Sequence, residues 1–373
     1  FGTLELAVVT SGYFLGFLVG SRLAPELIRR VGHVRVFAAL ASFISAGLIA
    51  FPILTDPFSW TAIRVLLGFC LSGVYVTAES WLNNAATNQT RGQVLSVYMV
   101  AQMVGLIAAQ GLMNLGEASG YFLFVIPSIL VSLSFAPILL SVTPTPAFET
   151  TKRMSLRALY DNSPLACVGT LLLGGVFAAQ FGMASVYGAA AGLSVAQITA
   201  FVAMIFTGSM VWQFPVGWLS DRVGRRVLIL GLAAIGSMTT AMGYVVDAGF
   251  GVLMGLAFVT GGVANPLYAL LIAYANDYLE AEDMAAASSG LLFIYGVGAI
   301  AGPMVTGQMM EMAGPQGFWL FLALVFAAIT GYAAWRMTRR PAVPVDETGS
   351  YLGVLPTASP VAVEAAQEWY VEQ

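Results

Sequence analysis

Apolar residues run along this chain in long blocks separated by short polar stretches. An apolar block of about 20 residues crosses roughly 30 Å of hydrocarbon as a helix. Eleven such blocks predict helices, at approximately 4–21, 33–55, 58–82, 92–115, 119–142, 164–188, 194–219, 226–246, 249–275, 284–313 and 317–335. Gly, Ala and Ser recur inside them, as expected where helix backbones pack closely in lipid. No ten-residue alternation of apolar and polar positions repeats, which excludes an outer-membrane barrel. The pattern predicts an all-α polytopic membrane protein.

Composition strengthens this reading. Of the 373 residues, 58% are hydrophobic and 9% charged, against about 25% charged in a soluble domain. A soluble enzyme or a nucleic-acid binder is thereby excluded, and membrane lipid is the expected surrounding. Cys70 and Cys167 sit in apolar runs and His33 is the one histidine, so neither a disulfide framework, a metal site nor a Ser-His-Asp triad is expected. No Walker motif occurs, and the glycine-rich run 290–307 is intramembrane, so no cofactor is expected.

The placement of charge says more than its total. Fourteen of the fifteen Lys and Arg fall in loops on one side, counting alternately along the chain: Arg22, Arg29, Arg30, Arg35, Arg91, Lys152, Arg153, Arg157, Arg222, Arg225, Arg226, Arg336, Arg339 and Arg340. By the positive-inside rule that side is cytoplasmic, and the C-terminus with it. The odd number of spans puts residue 1 on the other side. With Phe at that position, one further helix is expected to precede it.

A polar stretch divides the chain into an N-terminal bundle (1–142), a cytoplasmic linker (143–163), a C-terminal bundle (164–336) and a cytoplasmic tail (337–373) with a short helix near Glu364–Tyr370. Arg29-Arg30-Val31-Gly32-His33 in the first half and Gly217-Trp218-Leu219-Ser220-Asp221-Arg222-Val223-Gly224-Arg225-Arg226 in the second occupy corresponding loops. Such duplication is the architecture of many secondary transporters.

The second loop resembles the signature G-x-x-x-D-R-x-G-R-R of the major facilitator superfamily at every fixed position. In the first loop Arg29 stands where the acid would be and His33 replaces an arginine. Arg64-x-x-x-Gly68 is similar to the family's fourth-helix R-x-x-x-G. Gly298-x-x-x-Gly302-Pro303 looks like its antiporter glycine-proline motif, although here it lies in the eleventh helix rather than the fifth. Ala78-Glu79-Ser80-Trp81-Leu82-Asn83, with Thr90-Arg91-Gly92, resembles the YcaD-like branch of bacterial carriers. The resemblance implies a two-bundle fold of twelve helices, eleven present here, in a bacterial inner (plasma) membrane. It implies alternating access to a small-molecule substrate, with helices one, four, seven and ten lining the cavity.

Candidate residues follow. Arg64 is the one basic residue inside a span, where a charge costs about 2.5–3.5 kcal/mol on insertion scales. It is read as a cavity cation favouring an amphipathic or anionic solute, or as an arginine snorkelling to the rim. Arg64, Gly68, Leu71, Tyr75 and Glu79 share one helical face. Glu79 is read either as a proton-carrying coupling residue or as an interfacial acid facing Arg91 or solvent. Asp277 is assigned to a solvated acidic loop with Glu280, Glu282 and Asp283. Asn265 beside Gly261, Gly262 and Pro266 marks a cavity-lining hinge or a packing kink. Phe177, Gln180, Ala184 and Tyr187 form a second stripe. Asp221, Arg222, Gly224, Arg225 and Arg226 are expected to gate the transport cycle. A scaffold or assembly factor built on a carrier fold without transport is the competing class.

Overall fold

The computed structural model describes residues 1–86, 90–117, 120–140, 154–246 and 249–339; the expected helix near 364–370 and residues 143–153 of the linker lie outside them. The first half comprises α1 (Thr3–Val31), α2 (His33–Ala50), α3 (Pro57–Ala85), α4 (Arg91–Leu112) and α5 (Phe122–Leu139). A short α6 (Leu156–Asn162) follows. In the second half, α7 (Pro164–Ala178) continues through a π turn (Ala179–Met183) into α8 (Ala184–Ala190). Then come α9 (Val195–Ser220), α10 (Arg225–Val245), α11 (Phe250–Asn276), α12 (Ala281–Ala313) and α13 (Gly317–Met337). Among the described residues ten stretches are long and apolar enough to span, the last of them, Ala286–Met337, taking in both α12 and α13; with those two counted apart and α7–α8 as one crossing, eleven helices stand at the expected positions.

Local chemistry sets the ends. Asp56 caps α3, its carboxylate accepting the Ser59 N–H at 2.8 Å, with Pro57 in the first turn. Ser194 and Gln197 form a reciprocal capping box on α9. The corner between α1 and α2 falls on Gly32 at φ 85°, a left-handed conformation that a β-carbon disfavours. α6 occupies the end of the expected linker, and its buried Leu159 packs against Gly290 of α12.

The halves repeat one pattern of neighbours. In the first, α1 packs on α3, α2 on α3 and α2 on α5; in the second, α9 packs on α11, α10 on α11 and α10 on α13. Across the halves, α1 meets α12 and α4 meets α9. One asymmetry breaks the repeat: α12 lies along α7, whereas α4 has no counterpart of α7 beside it among the described residues. Only 6% of the α4 span is buried, against 89% for α11.

Small residues draw the paired helices together. A Cβ on Gly16 would collide with the Val65 carbonyl, and one on Gly68 with that of Tyr13, so α1 and α3 interlock reciprocally. Gly208 and Gly261 do the same for α9 and α11, against the carbonyls of Phe258 and Ile205. Gly174 and Gly298 join α7 to α12. This is the close backbone approach expected where lipid competes equally for apolar side chains. We expect Gly68→Ala to force α1 from α3 and destabilise the protein by about 1–3 kcal/mol. Gly105→Ala, where no atom stands within 4 Å, leaves thermal unfolding in detergent unchanged.

Candidate functional site

Where α1, α7 and α12 converge, a narrow cavity of about 30 Å³ opens between the halves. Tyr13 and Phe17 lie one helical turn apart and so share the inward face of α1. Phe177 and Phe181 face them from the α7 segment, and Tyr295 from α12. The rings line up: Tyr13 and Phe181 have centroids 5.9 Å apart at 23°, and Phe177 and Phe181 5.7 Å apart at 17°. Among the described residues, no ionisable carboxylate, Lys or Arg lines this space.

Among the described residues, contacts that involve polar groups join the halves near both ends. At the basic end, the Arg22 guanidinium sits 4.2 Å from the ring centre of Phe293. Toward the opposite end, Thr10 fills the space left by Gly182, and Asn114 donates from Nδ2 to Thr199 Oγ1 at 3.0 Å.

The Arg64 stripe turns mostly toward neighbouring helices of its own half. Gly68 is the α1 contact, and the Tyr75 ring lies 6.1 Å from Phe17. Arg64 is half-buried with its guanidinium 5.7 Å from the ring centre of Phe51, and it makes no hydrogen bond or ion pair among the described residues. Tyr13, on the cavity wall, lies within electrostatic reach of both Arg64 and Tyr75. Glu79 is 0% exposed and accepts a hydrogen bond from Tyr98 Oη of α4 at 3.0 Å. A solvent-facing Glu79 is thereby corrected: α4 seals it.

The loop after α9 divides in two. Asp221 and Arg222 stay exposed, the latter against Trp218. Gly224 is the N-cap of α10, so Arg225 and Arg226 enter its first turn facing the last turn of α11. Arg225 Nη1 donates to the Ala273 carbonyl at 2.7 Å and ion-pairs with Asp277. Arg226 Nη2 donates to Tyr278 Oη at 2.6 Å, with its guanidinium over the Tyr274 ring. Orphan carbonyls and the negative end of a helix dipole make this a favourable seat for cations. Asp277 therefore does not belong to a solvated loop; its side chain is 4% exposed. In the first half the matching first residue of α2, His33, places Nε2 3.0 Å from Ser80 Oγ near the end of α3.

Gln180, Tyr187 and Asn265 are all buried, and none of them lines the cavity. Tyr187 stacks on Phe318 at 5.1 Å and meets Trp319 edge-on, inside the second half. The π turn explains the departure, because its extra residue rotates everything beyond it off the Phe177 face. Around Asn265, Gly261 and Gly262 seat α11 against Ile205 and Trp212 of α9, and Ser209 Oγ donates to the Gly261 carbonyl at 2.9 Å. These contacts are those of the packing-kink alternative; the Ser209 bond falls on the Gly261 carbonyl, one residue before the Gly262 carbonyl that Pro266 frees.

Comparison with known proteins fits this architecture. A family model, Major Facilitator Superfamily, matches residues 1–224 and, in a second match, 165–362. The chain belongs to the major facilitator superfamily. Among its relatives, the uncharacterized MFS-type transporter YcaD of Salmonella arizonae is 26% identical over 327 residues, covering 87% of this chain and 84% of that protein. An uncharacterized MFS-type transporter of Yersinia pestis is 27% identical, covering 83% and 80%. The crystal structure of the nucleoside transporter NupG superposes with a TM-score of 0.77 at 15% identity, covering 90% and 91%. That likeness shows the fold alone. The chain is a facilitator-superfamily transporter and not an enzyme.

For this superfamily member, sequence reasoning missed Tyr98, assigned Asp277 to a solvated loop, and named Phe177 but not the other cavity aromatics. The spacing Tyr13-x-x-x-Phe17-x-x-x-Ser21 was a visible signal for the last; nothing local in sequence marks Tyr98 as the partner of Glu79. Removing one partner of a buried ion pair costs about 3–5 kcal/mol. We therefore expect Asp277→Asn to lower the unfolding transition strongly. Glu26→Gln, which breaks only the exposed pairs with Arg29 and Arg30, leaves it unmoved, as read by thermal denaturation in detergent.

Proposed function

We propose that this protein is a secondary active transporter that carries a small organic, amphipathic solute by alternating access, coupled to protons through Glu79. The observation that carries the proposal is the aromatic cavity contributed by both halves. Each half is interlocked internally by glycines and, in the second, by the Arg225–Asp277 clamp. Between the halves α1 lies along α12 and α4 meets α9, with the Arg22–Phe293 and Asn114–Thr199 contacts near the two ends. Two stiff bodies around a shared cavity can rock and expose it to either side in turn. In this reading the basic end faces the cytoplasm of a bacterial inner membrane, with the C-terminus inside.

Arg64 and Tyr75 act behind the cavity wall through Tyr13, setting its potential. Gln180, Tyr187 and Asn265 hold the second half in shape rather than touch solute. Asp221, Arg222, Gly224, Arg225 and Arg226 tune the equilibrium between the open states. Buried Glu79 is the carboxylate proposed to carry the proton, out of solvent and beside the Tyr98 hydroxyl of α4.

The test is uptake of radiolabelled aromatic and heteroaromatic compounds by proteoliposomes under an imposed pH gradient. Saturable accumulation collapsed by a protonophore is expected. Glu79→Gln is expected to lose accumulation while retaining exchange across the membrane, and Asp221→Asn to slow turnover without loss of solute binding. Wild-type protein without saturable uptake would overturn transport in favour of a scaffold.

A further inference from the structure

Which solute fits follows from the walls of the cavity. We infer that the space between α1, α7 and α12 binds an uncharged, flat ring compound bearing a hydrogen-bond acceptor, held by Tyr295. That this compound is also the transported solute rests on the transport reading above.

Three observations converge. The Tyr13, Phe181 and Phe177 rings form one stack, with 23° and 17° between neighbours, and a further ring extends such a stack in offset contact at about 4.5–7 Å between centroids. Tyr295 is 4% exposed, and its Oη has no hydrogen-bond partner among the described residues. A buried hydroxyl left unpaired is unfavourable, and an acceptor on a ligand relieves it. The neighbouring Ser21 already donates to the Leu18 carbonyl at 2.9 Å, whereas Tyr295 keeps a buried, unpaired hydroxyl on the α12 wall.

Charge decides against ions. With no carboxylate, Lys or Arg on the lining, burying an anion or a cation there leaves it unpaired. Arg64 holds its guanidinium over Phe51, outside the cavity lining, so it offers an anion no direct contact. Aromatic faces attract cations, yet no acidic side chain stands in the cavity to complete such a site.

The experiment is equilibrium dialysis of the purified full chain with labelled benzamide, benzoate and benzylammonium, three isosteric probes of different charge. Wild-type protein is expected to bind benzamide saturably and at least about tenfold more tightly than either ion. Tyr295→Phe is expected to weaken benzamide about five- to tenfold, as for loss of one hydrogen bond. Its thermal stability should be unchanged or higher, because the orphaned hydroxyl is gone. A residue holding the fold together would instead lose stability. Phe17→Leu gives an independent reading through loss of stacking. Absent benzamide binding, preference for benzoate or benzylammonium, or unaltered affinity in Tyr295→Phe would overturn the proposal. Benzamide binding without benzamide exchange in proteoliposomes supports the site and overturns transport of that class. Uptake of other solutes without benzamide binding overturns the site and leaves the transport reading standing.

Discussion

Lipid offers apolar side chains nearly the same environment as a helix interface, so burial alone cannot hold helices together here. What remains is contact between backbones, and this chain obtains it with glycine at reciprocal positions. Gly16 and Gly68 lock α1 to α3, Gly208 and Gly261 lock α9 to α11, and Gly174 and Gly298 lock α7 to α12. All three contacts work by the same geometry, carbonyl against a missing Cβ. The first two occupy equivalent places in the repeat, while the third has no first-half counterpart among the described residues. The rest of the fold depends on these clasps, since they turn apolar helices that could slide in lipid into stiff units.

The same solvent governs polar groups. An ion inside the bilayer needs a partner, and the two halves answer at corresponding helix corners with different chemistry. The second half places Arg225 on Asp277 and the Ala273 carbonyl. The first places neutral-sized His33 on Ser80, while Glu79, one residue earlier, turns to Tyr98. The Arg-for-acid and His-for-Arg departures in the first loop are thus local repackings of a shared corner. They show how a duplicated fold can keep its backbone geometry while the chemistry of its two ends diverges.

Much of this was legible in the sequence because lipid imposes simple rules. Eleven apolar blocks gave eleven spanning helices, and the repeated Arg-Val-Gly loops marked the corresponding corners. Legibility ended where tertiary contact decides the outcome. Asp277 reads as one acid among four, and only the register of α10 against α11 reveals its arginine. Tyr187 was misplaced for a different reason: helical periodicity assumes 3.6 residues per turn, and the π turn at Ala179–Met183 breaks that assumption. The Gly261-Gly262 pair reads equally as hinge or contact until Ile205 and Trp212 are seen against it.

The cavity is the place where the packing rule lapses. Within each half, glycine lets carbonyls approach; between the halves, rings of Phe and Tyr from α1, α7 and α12 meet around the cavity. Large side chains that meet across an interface leave gaps that small ones would close, and gaps are what a moving solute requires. The same rings are poor at locking a single arrangement, since offset stacking tolerates sliding between parallel faces. Stiffness inside the halves and a ring-lined cavity between them are therefore one design, drawn by where the sequence places its glycines and where it places its aromatics.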